Sequence, residues 1–329
     1  MFNTFAVVEP ILAPGMILPA TNCECFLASN LSYKEILQFM ITSTMNQADV
    51  EKCKRVRIKK MAERGINVPG DCDTLKEAVS LVHDNHDSPN SYVDQNDTPR
   101  HFNKIVLGEG AHGIVSDEVT EEGTFKMGGI LQIRCAMEIV GDPTLLSWSE
   151  AVILGGIYFK EGIQGKCHLQ HLTLFDSDRH GVDGESSFTM EDVHVDSCTF
   201  SGVRVIDRGV VATLTDVAVS NCGYNGILAD YGAVIILISG SLHADSGPKM
   251  RVYNNCQTVG IYPPTYGLNA QMVGSEDDED SAIFLFSPLT KEEVSLDNGG
   301  GGNFGGIFGS DDTELITTIT AEQYKELYP

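Results

Sequence analysis

VHVDSCTFSGV, residues 193–203, is the stretch that decides the fold, because it returns in altered form on either side of itself. HLTLFDSDRHGV (171–182) precedes it, and VAVSNCGYNGI (217–227) and RVYNNCQTVGI (251–261) follow. Each copy is a short apolar strand, a small polar step, and then Gly before Val or Ile. Gly181, Gly202, Gly226 and Gly260 mark one column, and Cys198, Cys222 and Cys256 stand four residues earlier, with Ser177 in their place in the first copy. A spacing of about 21 to 34 residues, built from strands without helices, predicts units stacked on one another, each burying its inward face against its neighbours. That is an all-β solenoid. Stacking would set equivalent residues about 4.8 Å apart, so Asp176, Ser197, Asn221 and Asn255 are expected to form a polar ladder beside the Ser177/Cys198/Cys222/Cys256 file.

Outward from the repeats, further strands are expected over 104–107, 129–133, 137–140, 151–154, 157–159 and 283–286. Upstream the period changes. Ile36, Leu37, Met40, Ile41 and Met45, then Val50, Cys53, Val56, Ile58 and Met61, recur at helical spacing, which predicts two helices joined near Asn46. A third helix is predicted over 74–83 after the capping step Asp71-Cys72-Asp73. The polar, turn-rich stretch 84–100 reads as a surface loop. The chain therefore divides into an extended arm (1–30), a helical cap (31–95) that covers the open end of the stack, a stack of strands (96–310) and a C-terminal tail (311–329).

The 329 residues carry a net charge of −24, partly in the run EDDED (276–280). This excludes nucleic acid as a partner, since phosphate binding needs a basic surface. No run approaches the roughly eighteen apolar residues of a membrane span, and the first twenty residues lack the basic start of a signal peptide, so a cytoplasmic or nuclear location is expected. Nine cysteines, three of them on a repeat column, read as buried thiols. Cys23 and Cys25 lack a second pair at zinc-finger spacing, and His168, His171 and His194 never gather at a ligand spacing.

LGEGAHGIV (107–115) matches the glycine-rich loop of protein kinases, but the catalytic loop and the magnesium-binding motif are missing, and no helix follows to present its N-terminus to a phosphate. These glycines are expected to turn a corner of the stack. Counting from the cysteines places Asp183, Asp207 and Asp230 in one column after the glycine turn, with Asp192 and Asp216 in a second. Carboxylates so stacked would repel unless screened, protonated or bridged by a cation. As a plainer reading, they occupy solvent-facing turns, where Asp is favoured by its local hydrogen bonds.

KIVLGEG (104–110) and MEIVGDP (137–143), after TLKEAV (74–79), resemble the opening strands of right-handed parallel β-helix proteins, the superfamily of pectate lyases and polygalacturonases. SPLTKEEVSLDNGGGGNFG (287–305) resembles the tail of β-helix repeat proteins of unicellular marine algae. The resemblance implies a right-handed, single-stranded parallel β-helix with an N-terminal α-helical cap. It also implies how the fold could act on polysaccharide: a lyase would hold calcium at Asp183 and Asp207 and use Arg204 or Arg208 as base. A hydrolase would need a carboxylate pair, from Asp176, Asp178 and Asp183 around His180. The polygalacturonase set is absent apart from His180-Gly181, and the repeats carry few basic residues to hold a polyuronate. Residues 31–64 resemble a degenerate F-box, with Leu31, Glu35, Ile36, Leu37, Asp49, Val50 and Val56 near the motif's places, Ser32 where it has proline and Lys60 near its tryptophan.

Three functions remain open on these grounds. One is a non-catalytic recognition scaffold that binds an extended glycan or a protein segment through Asp183, Asp207, Asp230, Arg204, Arg208 and Tyr231. The second is a polysaccharide lyase or glycoside hydrolase with Asp183, Asp207, Arg208 and His180 as its catalytic set. The third is an F-box-type receptor that takes an adaptor protein at Leu31–Arg64. Only the lyase requires a cofactor, calcium.

Overall fold

The computed structural model describes residues 47–88, 92–94, 96, 100–119, 125–223, 225–238, 251–253, 258–262, 282–286, 289, 316–320 and 322–323. These form a mostly parallel β structure with two helices, compatible with an all-β parallel solenoid. No helix among the described residues is long and apolar enough to cross a membrane.

Helix α1 (Gln47–Arg64) leads through strand β1 (Ile66–Val68) to helix α2 (Leu75–Asp87). Then come β2 (Lys104–Leu107), β3 (Gly110–Gly113), the antiparallel pair β4 (Val115–Val119) and β5 (Phe125–Met127), β6 (Ile130–Ile133), β7 (Glu138–Gly141), β8 (Ala151–Leu154), β9 (Gly156–Phe159) and β10 (Cys167–Phe175). The chain continues through β11 (Val182–Gly184), β12 (Phe188–Asp196), β13 (Val203–Ile206), β14 (Val211–Thr215), β15 (Ala218–Ser220) and β16 (Asn225–Asp230). It ends with β17 (Val234–Ile238), β18 (Arg251–Tyr253), β19 (Thr258–Tyr262), β20 (Ala282–Phe286) and β21 (Ile316–Ile319).

Successive passes of the chain alternate between a 13-stranded sheet, whose main path is β1-β2-β7-β10-β12-β14-β17-β20-β21, and a six-stranded sheet, β6-β9-β11-β13-β16-β19. In-register pairing lines up like side chains. Ile66, Ile105, Ile139, Leu169, Met190, Leu214, Leu237 and Leu285 follow one another across the large sheet, and all are almost wholly buried. Leu131, Ile157, Val182, Val203 and Ile227 do the same across the small one. Each such side chain contributes about 1.5–3 kcal/mol by leaving water. Gly184 stands where a Cβ would meet the Phe188 ring, and that ring stacks on Phe159 with centroids 5.0 Å apart.

The corners repeat as well. His171, Asp192 and Asp216 are level across the large sheet and all left-handed, with φ of 52°, 51° and 51°. Asp176, Ser197 and Asn221 form a second such column, at 56°, 58° and 53°. Short polar side chains tolerate this backbone region best, which accounts for the residue types at both corners. Ser177, Cys198 and Cys222 follow the second corner and are buried, as the polar-ladder reading requires. Asn255 and Cys256 lie outside the described residues.

The glycine column has a steric cause. A Cβ on Gly181 would come closer than 3.0 Å to Val195 Cγ1, the Gly202 carbonyl and Cys198 Sγ, and one on Gly202 would meet Val219 and the Gly226 carbonyl in the same way. The fourth copy departs from its expected register. A bulge after Asn225 sets Gly260 opposite Leu228, not Gly226, and Ile261 opposite Ala229.

Several expectations need correction. Strand β1 lies between two of the expected helices, inside the stretch expected as a helical cap, and β21, paired in parallel with β20, lies inside the expected tail. Strand β3 and the β4–β5 pair were not anticipated. Thr74, not Asp71 to Asp73, caps α2: its hydroxyl accepts from Glu77 N at 3.2 Å, and Glu77 returns a bond to Asp73 N. Asp71 is instead an internal anchor, fully buried, bound by Arg57 at 2.5 Å, by Arg64 at 3.0 Å and by the backbone N–H of Asn67. The 84–100 stretch is no simple surface loop, since α2 runs on to Asp87 and the buried Asp94 pairs with Arg100 at 2.6 Å. In the kinase-like stretch, Gly110 turns the chain at φ +118° into β3, which pairs with β8, so the segment belongs to the sheet. The expected arm 1–30 and the Gly-rich segment 298–303 lie outside the described residues.

Gly202→Ala is expected to lower stability by about 1–3 kcal/mol, the usual cost of overpacking, whereas Gly209→Ala, whose Cβ would meet nothing within 4 Å, pays only for its left-handed φ of +82°. Urea unfolding of the two variants beside wild type checks this, and an equal loss in both would refute the steric account.

Candidate functional site

The outward side chains of the small sheet form a file of their own. Gln132, Tyr158, Asp183, Arg204 and Leu228 are successive register partners across β6, β9, β11, β13 and β16. Alternation along each strand sends their neighbours inward and leaves the four polar members outside, while Leu228 is buried at 5% exposure.

Arg204 is its centre. Its Nη2 donates to Asp230 Oδ2 at 2.9 Å, and its Nη1 lies 3.8 Å from Asp183 Oδ1. The three side chains are 24%, 12% and 20% exposed, so the ion pairs are largely shielded from water. Burial raises the pKa of both carboxyls, and Arg204 opposes that rise in each. Asp183 Oδ1 is buried without a hydrogen bond. Beside them the Tyr158 hydroxyl donates to Glu185, and burial first, then Glu185, pushes its pKa above the ordinary tyrosine value.

The expected column of Asp183, Asp207 and Asp230 does not form. Asp183 is level with Arg204, Asp230 is level with Ile206, and Asp207 comes one residue after Ile206, beside Tyr231 on the next strand. Counting from the cysteines failed because the aspartates stand at unequal offsets, one, four and three residues after the register partners Val182, Val203 and Ile227. Asp183 and Asp230 are nonetheless brought together, through the guanidinium between them. Asp207 and Tyr231 form an exposed rim, both left-handed at 82° and 54°, with Tyr231 45% exposed. Arg208 is exposed on the same turn. Asp192 and Asp216 do share a column, and Asp192 binds His171 Nδ1 at 2.7 Å across the corner.

His180 is mostly buried against Phe200, with ring centroids 5.4 Å apart, and its Nδ1 accepts the backbone N–H of Ser201 at 3.2 Å. Burial, with Arg204 and Arg179 nearby, lowers its pKa to about 4. A neutral ring already accepting a backbone proton is a weak base. Asp176 sits at an exposed corner, and the Asp178 backbone N–H is bonded to Gly128 O.

Sequence reasoning missed a second polar group on the large sheet. His194 Nε2 lies 3.0 Å from Ser220 Oγ, and that hydroxyl donates to Asp196 Oδ1 at 2.8 Å. The order of bonds rules out a nucleophile of the Ser-His-Asp type: the serine proton goes to the carboxylate, so the histidine donates to the serine and cannot deprotonate it. Trp148 packs edge-on over His194 with centroids 4.7 Å apart. Only the side-by-side pairing of β12 and β15 reveals this group.

For a metal, the described residues contain no cluster of three His, Cys, Asp or Glu side chains, and Asp183, one of the two aspartates of the calcium reading, lies against the Arg204 guanidinium. Six cysteines of the described chain, at 53, 72, 135, 167, 198 and 222, are buried and in no disulfide, and burial pushes the Cys135 thiol up to about 11 and that of Cys72 to about 12. In α1, Cys53, Arg57, Ile58 and Met61 are buried, and Arg57 and Arg64 tie the helix to Asp71. That face is turned to the protein's own interior, and Leu31 to Asn46 lie outside the described residues. No family model, no curated protein and no solved structure matches the chain.

The pH dependence of His180 follows in sign. Its folded pKa of about 4 lies below the unfolded 6.5, so the folded state binds fewer protons between these values. The stability it contributes is present above 6.5 and is lost as pH falls toward 4. His180→Gln, which keeps an acceptor for Ser201, is expected to lose about 2 kcal/mol less than wild type between pH 7 and pH 4 in urea unfolding, a value discounted for the ring's partial exposure. Equal losses would place the ring in water.

Proposed function

We propose that the chain is a right-handed parallel β-helix of the pectate-lyase-like kind that acts as a non-catalytic recognition scaffold. An extended glycan or protein segment lies along the outward face of the small sheet. The observation that carries this reading is Arg204 held between Asp183 and Asp230. A guanidinium paired with two shielded carboxylates is not available as a lyase base. The carboxylates it neutralises are not a separated acid and base with room for water between them. What the file offers instead is a fixed set of donors and acceptors on a rigid sheet, with Gln132 at one end and the Asp207–Tyr231 rim beside it. Tyrosine at such a rim suits the apolar face of a sugar ring or a peptide side chain. Buried thiols outside any disulfide suit a reducing compartment, cytoplasmic or nuclear.

Purified protein incubated with neutral and acidic polysaccharides, with and without calcium, tests the proposal. Retention of at least one polymer without new reducing or unsaturated ends is expected, and Tyr231→Ala should weaken it by about tenfold, a loss of about 1.4 kcal/mol. Cleavage that disappears in Asp183→Asn or Asp207→Asn would establish an enzyme instead.

A further inference from the structure

A cleft of about 450 Å³ opens where α2 faces β6, the edge strand of the small sheet. One wall carries Lys76, Val79, Ser80 and His83 of α2; Ile114 and the β6 residues Ile130 to Gln132 line the other, together with the Asp178–Arg179 corner. The volume falls in the range of sites that enclose small molecules.

His83 is 8% exposed. Its Nε2 accepts the backbone N–H of Arg134 at 3.2 Å. Burial, with Arg134 close by, lowers its pKa, so the ring is neutral and carries its single proton on Nδ1. No described residue accepts that proton. Arg179 makes no ion pair among the described residues, and the Ser80 hydroxyl lies exposed on the same helix face as His83. Val79, Ile114 and Leu131 supply a dry, apolar floor, at 2%, 2% and 5% exposure.

We propose that this cleft binds a small organic oxyanion, a carboxylate or phosphate monoester head on a short apolar body. Arg179 and Lys76 supply the positive charge, the His83 Nδ1–H and the Ser80 hydroxyl bond the head, and the aliphatic floor takes the body. Asp178 also lines the cleft, so two cations face one carboxylate, which favours a ligand of single negative charge. The proposal does not rest on the reading of the Arg204 face.

Calorimetric titration of the full chain with benzoate, phenyl phosphate and the neutral benzyl alcohol tests it. Saturable binding of benzoate or phenyl phosphate with Kd on the order of 1 mM is expected, with none for benzyl alcohol. Arg179→Gln should weaken it about tenfold, and Ser80→Phe, an exposed position whose new ring fills the cleft, should abolish it while leaving Tm near that of wild type. If neither anion saturates, if benzyl alcohol binds equally well, or if both variants bind like wild type, the proposal is wrong.

Discussion

In-register parallel pairing is the constraint on which the rest of this structure depends. Each pass of the chain must return beside the previous one with the same side chains facing in, because a slip of one residue would turn the aliphatic file from Ile66 to Leu285 toward water. The backbone must then bend at the same places every time. Left-handed residues meet that need at two corners, and they are His, Asp, Ser and Asn, whose side chains tolerate such a backbone. Close approach of neighbouring passes meets it at the third place, where only glycine leaves room for the next carbonyl and the cysteine beside it. Repetition in the sequence is thus the record of a geometric requirement.

The same constraint shapes the candidate site. Parallel pairing carries Tyr158, Asp183 and Arg204 to the surface side by side. Arg204 there bridges Asp183 and Asp230. The bridge also removes the freedom that catalysis would require of either acid, which is why binding is the function we propose. The cleft under α2 is a different kind of feature, made where the helical segment meets the first strands and the Asp178–Arg179 corner of the first repeat.

Much of this was legible in the residues. The strands at 104–107 and 151–154 stand where the apolar runs predict, and the corner column of Asp176, Ser197 and Asn221 follows from aligning the repeated phrase. What escaped has identifiable physical reasons. Strand β1 is only three residues long and sits between two helices, so no alternation can reveal it. Ile316–Ile319 is recognisable as a strand only through its partner, β20. Asp71 and Asp94 look like solvated acids because their arginine partners lie 14 and 6 residues away in the chain. The aspartate column was misread because register is transmitted from strand to strand through Val182, Val203 and Ile227, and the aspartates follow these partners by one, four and three residues. Arg204 was visible as a candidate, but its place between two carboxylates is a property of pairing alone.

The central claim, in-register stacking of successive passes, is tested most directly by oxidative cross-linking of cysteine pairs placed on the outer face of the large sheet. Glu191 and Thr215 are register partners on β12 and β14, whereas Thr213 is offset by two residues. Partners in a parallel ladder are about 4.8 Å apart, within disulfide reach, and the offset pair lies beyond about 7 Å. The account predicts that Glu191→Cys/Thr215→Cys forms an intramolecular disulfide under mild oxidation and that Glu191→Cys/Thr213→Cys does not. Cross-linking of the offset pair alone, or of neither pair, would contradict it.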